Sequence, residues 1–182
     1  MLSSRPSPLS LMVIVSLLAQ LIAPVRARAQ LAPVLQYNYG SGISGPDASN
    51  GAVSGVGAGL RFPLKAWNQQ RGVMGVFTFD YFFAPDYPVT DGSKHKQTYW
   101  EINMDGTYDL PKLKVVYIGA GLNFTEQSVD YTGNVPGVIG TNLGLNALAG
   151  LHVGSKKAGG FVQGRAELGG GKQVVVSAGI YF

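Results

Sequence analysis

Apolar and polar residues alternate along much of the chain after Gln30, and this period of two predicts β-strands. The clearest segment runs from Trp100 to Asp109. One face of this segment carries Trp100, Ile102, Met104 and Tyr108, and the other carries Glu101, Asn103, Asp105, Thr107 and Asp109. Because successive strand side chains point to opposite faces, this strand has one apolar face and one acidic, polar face.

The same alternation, interrupted by turn residues, predicts eight strands. They lie at about 34–39, 56–62, 73–83, 100–109, 116–124, 141–153, 161–168 and 172–182. The predicted connections are 40–51, 63–71, 84–96, 110–112, 125–139, 154–158 and 169–171, of which the first, third and fifth are long and rich in Gly, Pro, Asp and Ser. No linker divides the segment, which we therefore treat as one domain.

The first 29 residues have the three-part layout of a secretory signal peptide. Arg5 precedes an apolar run from Leu9 to Val25, and the segment closes on Ala27-Arg28-Ala29, a small-x-small cleavage site. An uncleaved anchor is the alternative, but the run is shorter than the ~20 residues a spanning helix needs and contains a proline. We predict a Sec-type signal peptide at residues 1–29, cleavage after Ala29 and a mature domain at residues 30–182.

Composition narrows the class of protein. Charged residues make up 13% of the chain against a usual ~25%, there are 26 Gly, and there is no Cys, which excludes disulfides and thiolate metal sites. Removing residues 1–29 takes away three Arg and no acid, so the net charge falls from +4 to +1. A nearly neutral mature chain gives no support for binding nucleic acid.

Alternation alone does not decide which face lines a barrel, and two readings stay open: a soluble ligand-binding calyx and a membrane barrel with its apolar face outward. The narrow interior of an eight-stranded barrel is filled by side chains, and Gly57, Gly119 and Gly121 would leave room there for Arg61, Tyr117 and Arg165. Many aromatics also lie near strand ends, where an interfacial girdle belongs: Tyr39, Phe62, Trp67, Phe83, Tyr99, Trp100, Tyr108, Phe124 and Tyr181. Both features favour the membrane barrel.

The signal peptide, the eight amphipathic strands and a last strand that ends on Phe182 together resemble the small bacterial outer-membrane β-barrels, with OmpX and the transmembrane domain of OmpA as the nearest types. The resemblance implies an all-β, eight-stranded antiparallel up-and-down transmembrane β-barrel, monomeric, in the cell outer membrane among lipids and lipopolysaccharide. It also implies a C-terminal signal read by the barrel-assembly machinery. The matching residues are Phe182, Ile180, Val176 and Val174.

Candidate catalytic groups are few, and we predict no catalysis, no cofactor and no metal. Two His residues, His95 and His152, are too few for a usual zinc site. A lipid A deacylase-like barrel enzyme is the main alternative, but that family places Ser two residues after its catalytic His, and Gly154 stands there. The function predicted is structural or adhesion-like, through the long surface loops.

The polar face predicts a charge network inside the barrel. Asp80 and Glu101 should lie side by side on neighbouring strands, with Arg165 reaching them from the far wall and Glu167 joining, since adjacent carboxylates repel unless a cation sits between them. Arg61 and Asp105 are expected in the same network. We assign these six residues a structural role.

Overall fold

The computed structural model describes residues 31–41, 52–64, 72–83, 87–88, 94–113, 115–131, 138–154, 158–169 and 173–182. The predicted signal peptide, most of the predicted loop 40–51 and Trp67 lie outside these residues. Within the described part of the chain, no helix is both long and apolar enough to cross a bilayer.

Nine strands form a single sheet in the described part of the chain. They are β1 (Ala32–Ser41), β2 (Val53–Pro63), β3 (Val73–Phe82), β4 (Tyr87–Pro88), β5 (Lys94–Asp109), β6 (Val116–Tyr131), β7 (Val138–Gly154), β8 (Gly159–Leu168) and β9 (Val174–Tyr181).

Eight of these strands close into a barrel. Every pairing is antiparallel, and sequential neighbours pair along the sheet. The ring closes where β1 pairs with β9 and where β3 pairs with β5, while the two-residue β4 only adds to the edge of β5. The predicted eight-stranded antiparallel barrel is therefore confirmed.

The apolar face of the strands points outward. Leu35, Leu122, Leu145, Leu151 and Ile180 are each about half exposed, whereas the alternate positions are buried in the lumen. A soluble calyx needs the opposite arrangement, with apolar side chains around an internal ligand. The outward apolar surface and polar lumen are instead the pattern of a barrel surrounded by lipid.

The two ends of the barrel differ. We call the end that holds Ala32 and Tyr181 the proximal rim and the opposite end the distal rim. The strands β5, β6 and β7 have 16, 16 and 17 residues, although 9–11 are enough to span a bilayer. The other barrel strands have 8 to 11, and the excess of β5–β7 stands above the distal rim.

This extension corrects two of the predicted loops. The segment 125–139 is mostly strand, since β6 continues to Tyr131 and β7 begins at Val138, and the segment 84–96 contains β4 and the start of β5. The period of two fades there because Glu126, Gln127 and Ser128 are consecutive polar residues. A strand that leaves the membrane no longer needs an apolar face, so its sequence resembles a loop.

Candidate functional site

Arg165 of β8 is the centre of the lumen and is 1% exposed. Its guanidinium meets three carboxylates: Nη1 lies 3.3 Å from Asp80 Oδ2, Nη2 lies 2.5 Å from Glu101 Oε2 and Nε lies 3.2 Å from Glu167 Oε1. Asp80 and Glu101 are direct cross-strand partners on β3 and β5, which places their carboxylates together. A planar fork of five N–H donors suits this multiple contact.

Side-chain amides and one hydroxyl complete the network, and none of them was predicted to belong to it. Asp80 accepts hydrogen bonds from Gln36 (2.7 Å), Asn38 (2.8 Å), Asn103 (2.9 Å) and Thr78 (3.3 Å). Gln173 Nε2 donates to Glu101 Oε1. Their position on the polar face of alternating strands was the available signal in the sequence. It was a weak signal, because these residues carry no charge that would predict an ion pair.

Asp105 joins the network through an amide. Asn146 Nδ2 donates to Asp105 Oδ1 at 3.0 Å and to Asn103 Oδ1 at 2.9 Å, and Asn103 in turn donates to Asp80. Asp105 is buried but is held by Asn146 rather than by an arginine fork.

The expectation that Arg61 shares this network is wrong. Asp80 pairs with Gly57, so Arg61 lies four residues further along β2, about 13 Å nearer the proximal rim. Arg61 Nη2 instead lies 4.0 Å from Asp109 Oδ1, and its guanidinium covers the Tyr181 ring at 4.9 Å.

A second cluster closes the lumen near the proximal rim. His152 lies between Asp109, at 3.0 Å from Nε2, and the Tyr181 hydroxyl, at 3.3 Å from Nδ1. The Tyr117 ring stacks on the imidazole with centroids 4.6 Å apart. The other predicted histidine, His95, lies in β5. The described residues contain no group of three or more His, Asp or Glu side chains placed to bind a metal.

A third, apolar cluster of Val53, Phe82, Tyr99 and Val175 closes the distal side of the lumen. The prediction that Tyr99 and Tyr181 belong to the interfacial girdle is therefore wrong, because both side chains are buried in the lumen, at 5% and 2% exposure. Outward aromatics do exist: Trp100 packs against Phe79 and Phe124 with centroids 5.8 Å apart.

A small cavity lies in the described part of the lumen. A cavity of about 30 Å³ separates the charge network from the proximal cluster and is bounded by Arg61, Asp105, Tyr117 and His152 among others. One water needs about 10–15 Å³, so this space suits about two waters. The arrangement is a packed barrel with a pocket large enough for about two waters.

The last strand carries the predicted assembly residues on its outer face. Val174, Val176, Ile180 and Phe182 are each at least half exposed, and β9 closes the ring against β1. Tyr181, between Ile180 and Phe182 in the sequence, points inward. The outward side chains of the terminal strand therefore form an apolar stripe without a polar residue.

No family model and no curated protein matches the sequence, but solved structures match its fold. Neisserial surface protein A has a TM-score of 0.58 at 16% identity, over 84% of this chain and 96% of that one. The N-terminal β-barrel domain of Pseudomonas aeruginosa OprF has a TM-score of 0.54 at 11% identity, over 83% and 97%. Ail, the attachment invasion locus protein of Yersinia pestis, has a TM-score of 0.51 at 9% identity, over 83% and 94%. The chain thus has the fold of the small eight-stranded β-barrels of bacterial outer membranes.

Proposed function

We propose that the mature chain is an integral outer-membrane protein that acts through contacts at the cell surface and not through catalysis. The outward apolar belt and the fold it shares with outer-membrane barrels support the membrane location. The proposal includes export by the signal peptide, assembly through the C-terminal strand, a monomeric barrel surrounded by lipid and lipopolysaccharide, and a distal rim that faces outside.

The observation that carries the contact role is an edge of β7 that has no strand partner among the described residues. Towards β6, β7 is paired from Val138 to Leu151, but its pairing with β8 begins only at Leu145. Residues Val138–Gly144 therefore have one paired and one unpaired side among the described residues. Gly140, Thr141, Asn142 and Leu143 are all exposed, which places this part of the strand clear of the barrel on both faces.

An extended segment of a partner protein is the occupant this edge suits. Unpaired N–H and C=O groups form a template for one more strand. Protein edges are usually protected by charged residues or Pro, yet the segment Val138–Gly144 contains neither. Ail, one of the proteins with this fold, is described as an attachment invasion locus protein.

Proline and alanine variants test the edge at two positions, Thr141 and Asn142. Successive N–H groups of a strand point to opposite sides, so one of the two prolines removes only a donor on the open edge. We expect bacteria that express the wild-type chain to attach to plastic coated with a denatured, extended polypeptide more than bacteria carrying an empty vector. We expect the matching alanine variants to attach like wild type and the edge-facing proline variant to lose attachment while still folding.

Equal attachment by wild type and empty vector would contradict the contact role. Full attachment by both proline variants would contradict the β7 edge as its site.

The absence of catalysis has its own test. His152, the candidate for a deacylase, lies in the lumen beside Asp109 and Tyr181, away from the outer surface where lipid would bind. Lipid A from cells that overexpress the chain should keep its mass, and loss of an acyl chain in the mass spectrum would show a lipid-modifying enzyme instead.

A further inference from the structure

The lumen holds more negative than positive charge around Arg165. Asp80, Glu101 and Glu167 all contact its guanidinium and are at most 3% exposed. One guanidinium balances one carboxylate, so two negative charges remain if all three acids are ionised. Uncompensated buried charge is costly, and a carboxyl group in this position takes up a proton instead.

The hydrogen-bond donors are unequally shared among the three acids. Asp80 and Glu101 accept on both oxygens, from the amides as well as from Arg165. Glu167 accepts from Arg165 Nε on Oε1, while its buried Oε2 has no hydrogen-bond partner among the described residues. Donors stabilise the ionised form of a carboxyl group, and Glu167 accepts the fewest of these hydrogen bonds among the three acids.

Gln173, a neighbour of Glu167 in the sheet, also has a buried side-chain oxygen without a donor. Gln173 is 2% exposed, and its Oε1 is also without a hydrogen-bond partner in the described part of the structure. The two residues are adjacent in the sheet, where Glu167 N donates to Gln173 O at 2.9 Å. The Gln173 amide lies inside the acidic cluster because its Nε2 donates to Glu101. Two buried acceptor oxygens on neighbouring residues therefore have no hydrogen-bond donor among the described residues.

We propose that Glu167 and Gln173 form a buried proton-binding site, in which Glu167 is a neutral carboxylic acid whose Oε2–H donates to Gln173 Oε1. The proton completes a closed ring of hydrogen bonds that runs from Glu167 to Gln173, from Gln173 to Glu101, and from Arg165 to both Glu101 and Glu167. The other titratable groups that face the site are Asp80 on β3 and Tyr99 and Asp105 on β5.

The Glu167→Gln variant tests the site because glutamine copies a neutral carboxylic acid. Its amide N–H₂ replaces the acid proton towards Gln173, and its carbonyl accepts from Arg165. We expect the full mature barrel, refolded in detergent micelles, to unfold at a urea concentration at least as high as wild type. The matched controls Glu101→Gln and Asp80→Asn remove ionised acceptors, and we expect both to unfold at clearly lower urea.

Infrared spectroscopy reads the proton itself. Wild type at neutral pH should show the carbonyl stretch of a protonated carboxylic acid, with a shift in D₂O, and Glu167→Gln should lose that band. The proposal is wrong if the band is missing from wild type, if it persists in Glu167→Gln, or if Glu167→Gln is destabilised as much as Glu101→Gln. A wild-type unfolding midpoint that falls when metal ions are chelated would show that a cation, not a proton, occupies the site.

Discussion

At the residue scale, one cation organises the lumen. Arg165 contacts acids from β3 and β5 and a third acid on its own strand, so it ties opposite walls of the barrel together. Apolar residues pack on both sides of it. Towards the proximal rim they are Val34, Tyr117, Leu148, Phe161 and Tyr181, and towards the distal rim they are the cluster of Val53, Phe82, Tyr99 and Val175. Removing one partner from such a buried group leaves the others uncompensated, which costs more than the pair itself contributes.

Replacing Arg165 should therefore be strongly destabilising. We expect Arg165→Ala to lower the free energy of unfolding by about 3–5 kcal/mol, measured by urea unfolding in micelles. Arg165→Lys keeps the charge but lacks the planar fork and should recover only part of the loss. Arg61→Ala is the control, because its ion pair with Asp109 is 4.0 Å long and lies nearer the rim. An equal loss for Arg61→Ala would contradict the central role of Arg165.

Side chains of the charge network pack closely against the backbone of Gly57, which predicts that a larger residue there is destabilising. A Cβ added to Gly57 would collide with Asp80 Oδ1 and lie 2.9 Å from Gln36 Cγ, whereas a Cβ on Gly164 would meet nothing within 4 Å. Overpacking a well-packed site typically costs about 1–3 kcal/mol, so Gly57→Ala should lower the urea midpoint and Gly164→Ala should not. Matching midpoints would mean that the lumen around Asp80 is looser than the structure describes.

At the element scale, the outward and inward side chains of the last strand have different roles. Phe182 faces outward and is exposed, whereas Tyr181 faces His152, Arg61 and Phe161 in the lumen. The outward stripe is available to an assembly factor, and the inward tyrosine fixes the closing strand to its neighbours.

Phe182→Ala and Tyr181→Ala should therefore fail in different ways. We expect Phe182→Ala to reduce the amount of barrel in the outer membrane, while the purified protein keeps its urea midpoint. Tyr181→Ala should lower that midpoint, because loss of a buried aromatic side chain costs about 3–5 kcal/mol. Quantitative blots of membrane fractions and micelle unfolding measure the two effects. Normal assembly of Phe182→Ala would argue against the C-terminal signal.

Elements were predictable from the sequence where the membrane dictates their pattern. The alternation places Glu101, Asp80 and Arg165 on inward positions, and the structure has them there. Tyr99 and Glu101 are two residues apart and share a face of β5, so the alternation predicts that Tyr99 points into the lumen. Its position near a strand end had instead suggested the girdle. The distal parts of β6 and β7 were not predictable, because a strand in water has no lipid face to mark it.

The roles of the lumen amides in the network could not be predicted from the sequence, for a different reason. Asn38 and Asn146 acquire their roles only when distant strands are brought into register, and no local pattern distinguishes a network amide from a surface one. Arg61 was misassigned because inward direction alone does not give height along the barrel.

At the scale of the whole molecule, we infer the orientation in the membrane from the position of the long strands. The strands β5, β6 and β7 extend beyond the distal rim, and the longer connections of outer-membrane barrels are extracellular. The chain has no Cys, so a cysteine introduced at one rim is the one thiol that a maleimide can label. A membrane-impermeant maleimide added to intact cells should label Thr141→Cys at the distal rim and not Lys112→Cys at the proximal rim. Labelling of Lys112→Cys alone would invert the topology.

We expect the outward apolar face of the barrel to lie in lipid. A nitroxide attached at Leu122→Cys in the barrel reconstituted into bilayers tests it directly, because oxygen concentrates in the hydrocarbon and a polar nickel chelate stays in water. We expect the Leu122 label to collide readily with oxygen and hardly with nickel, while a label at the exposed Asn142→Cys collides with nickel. A Leu122 label as accessible to nickel as the Asn142 label would contradict a membrane-spanning barrel.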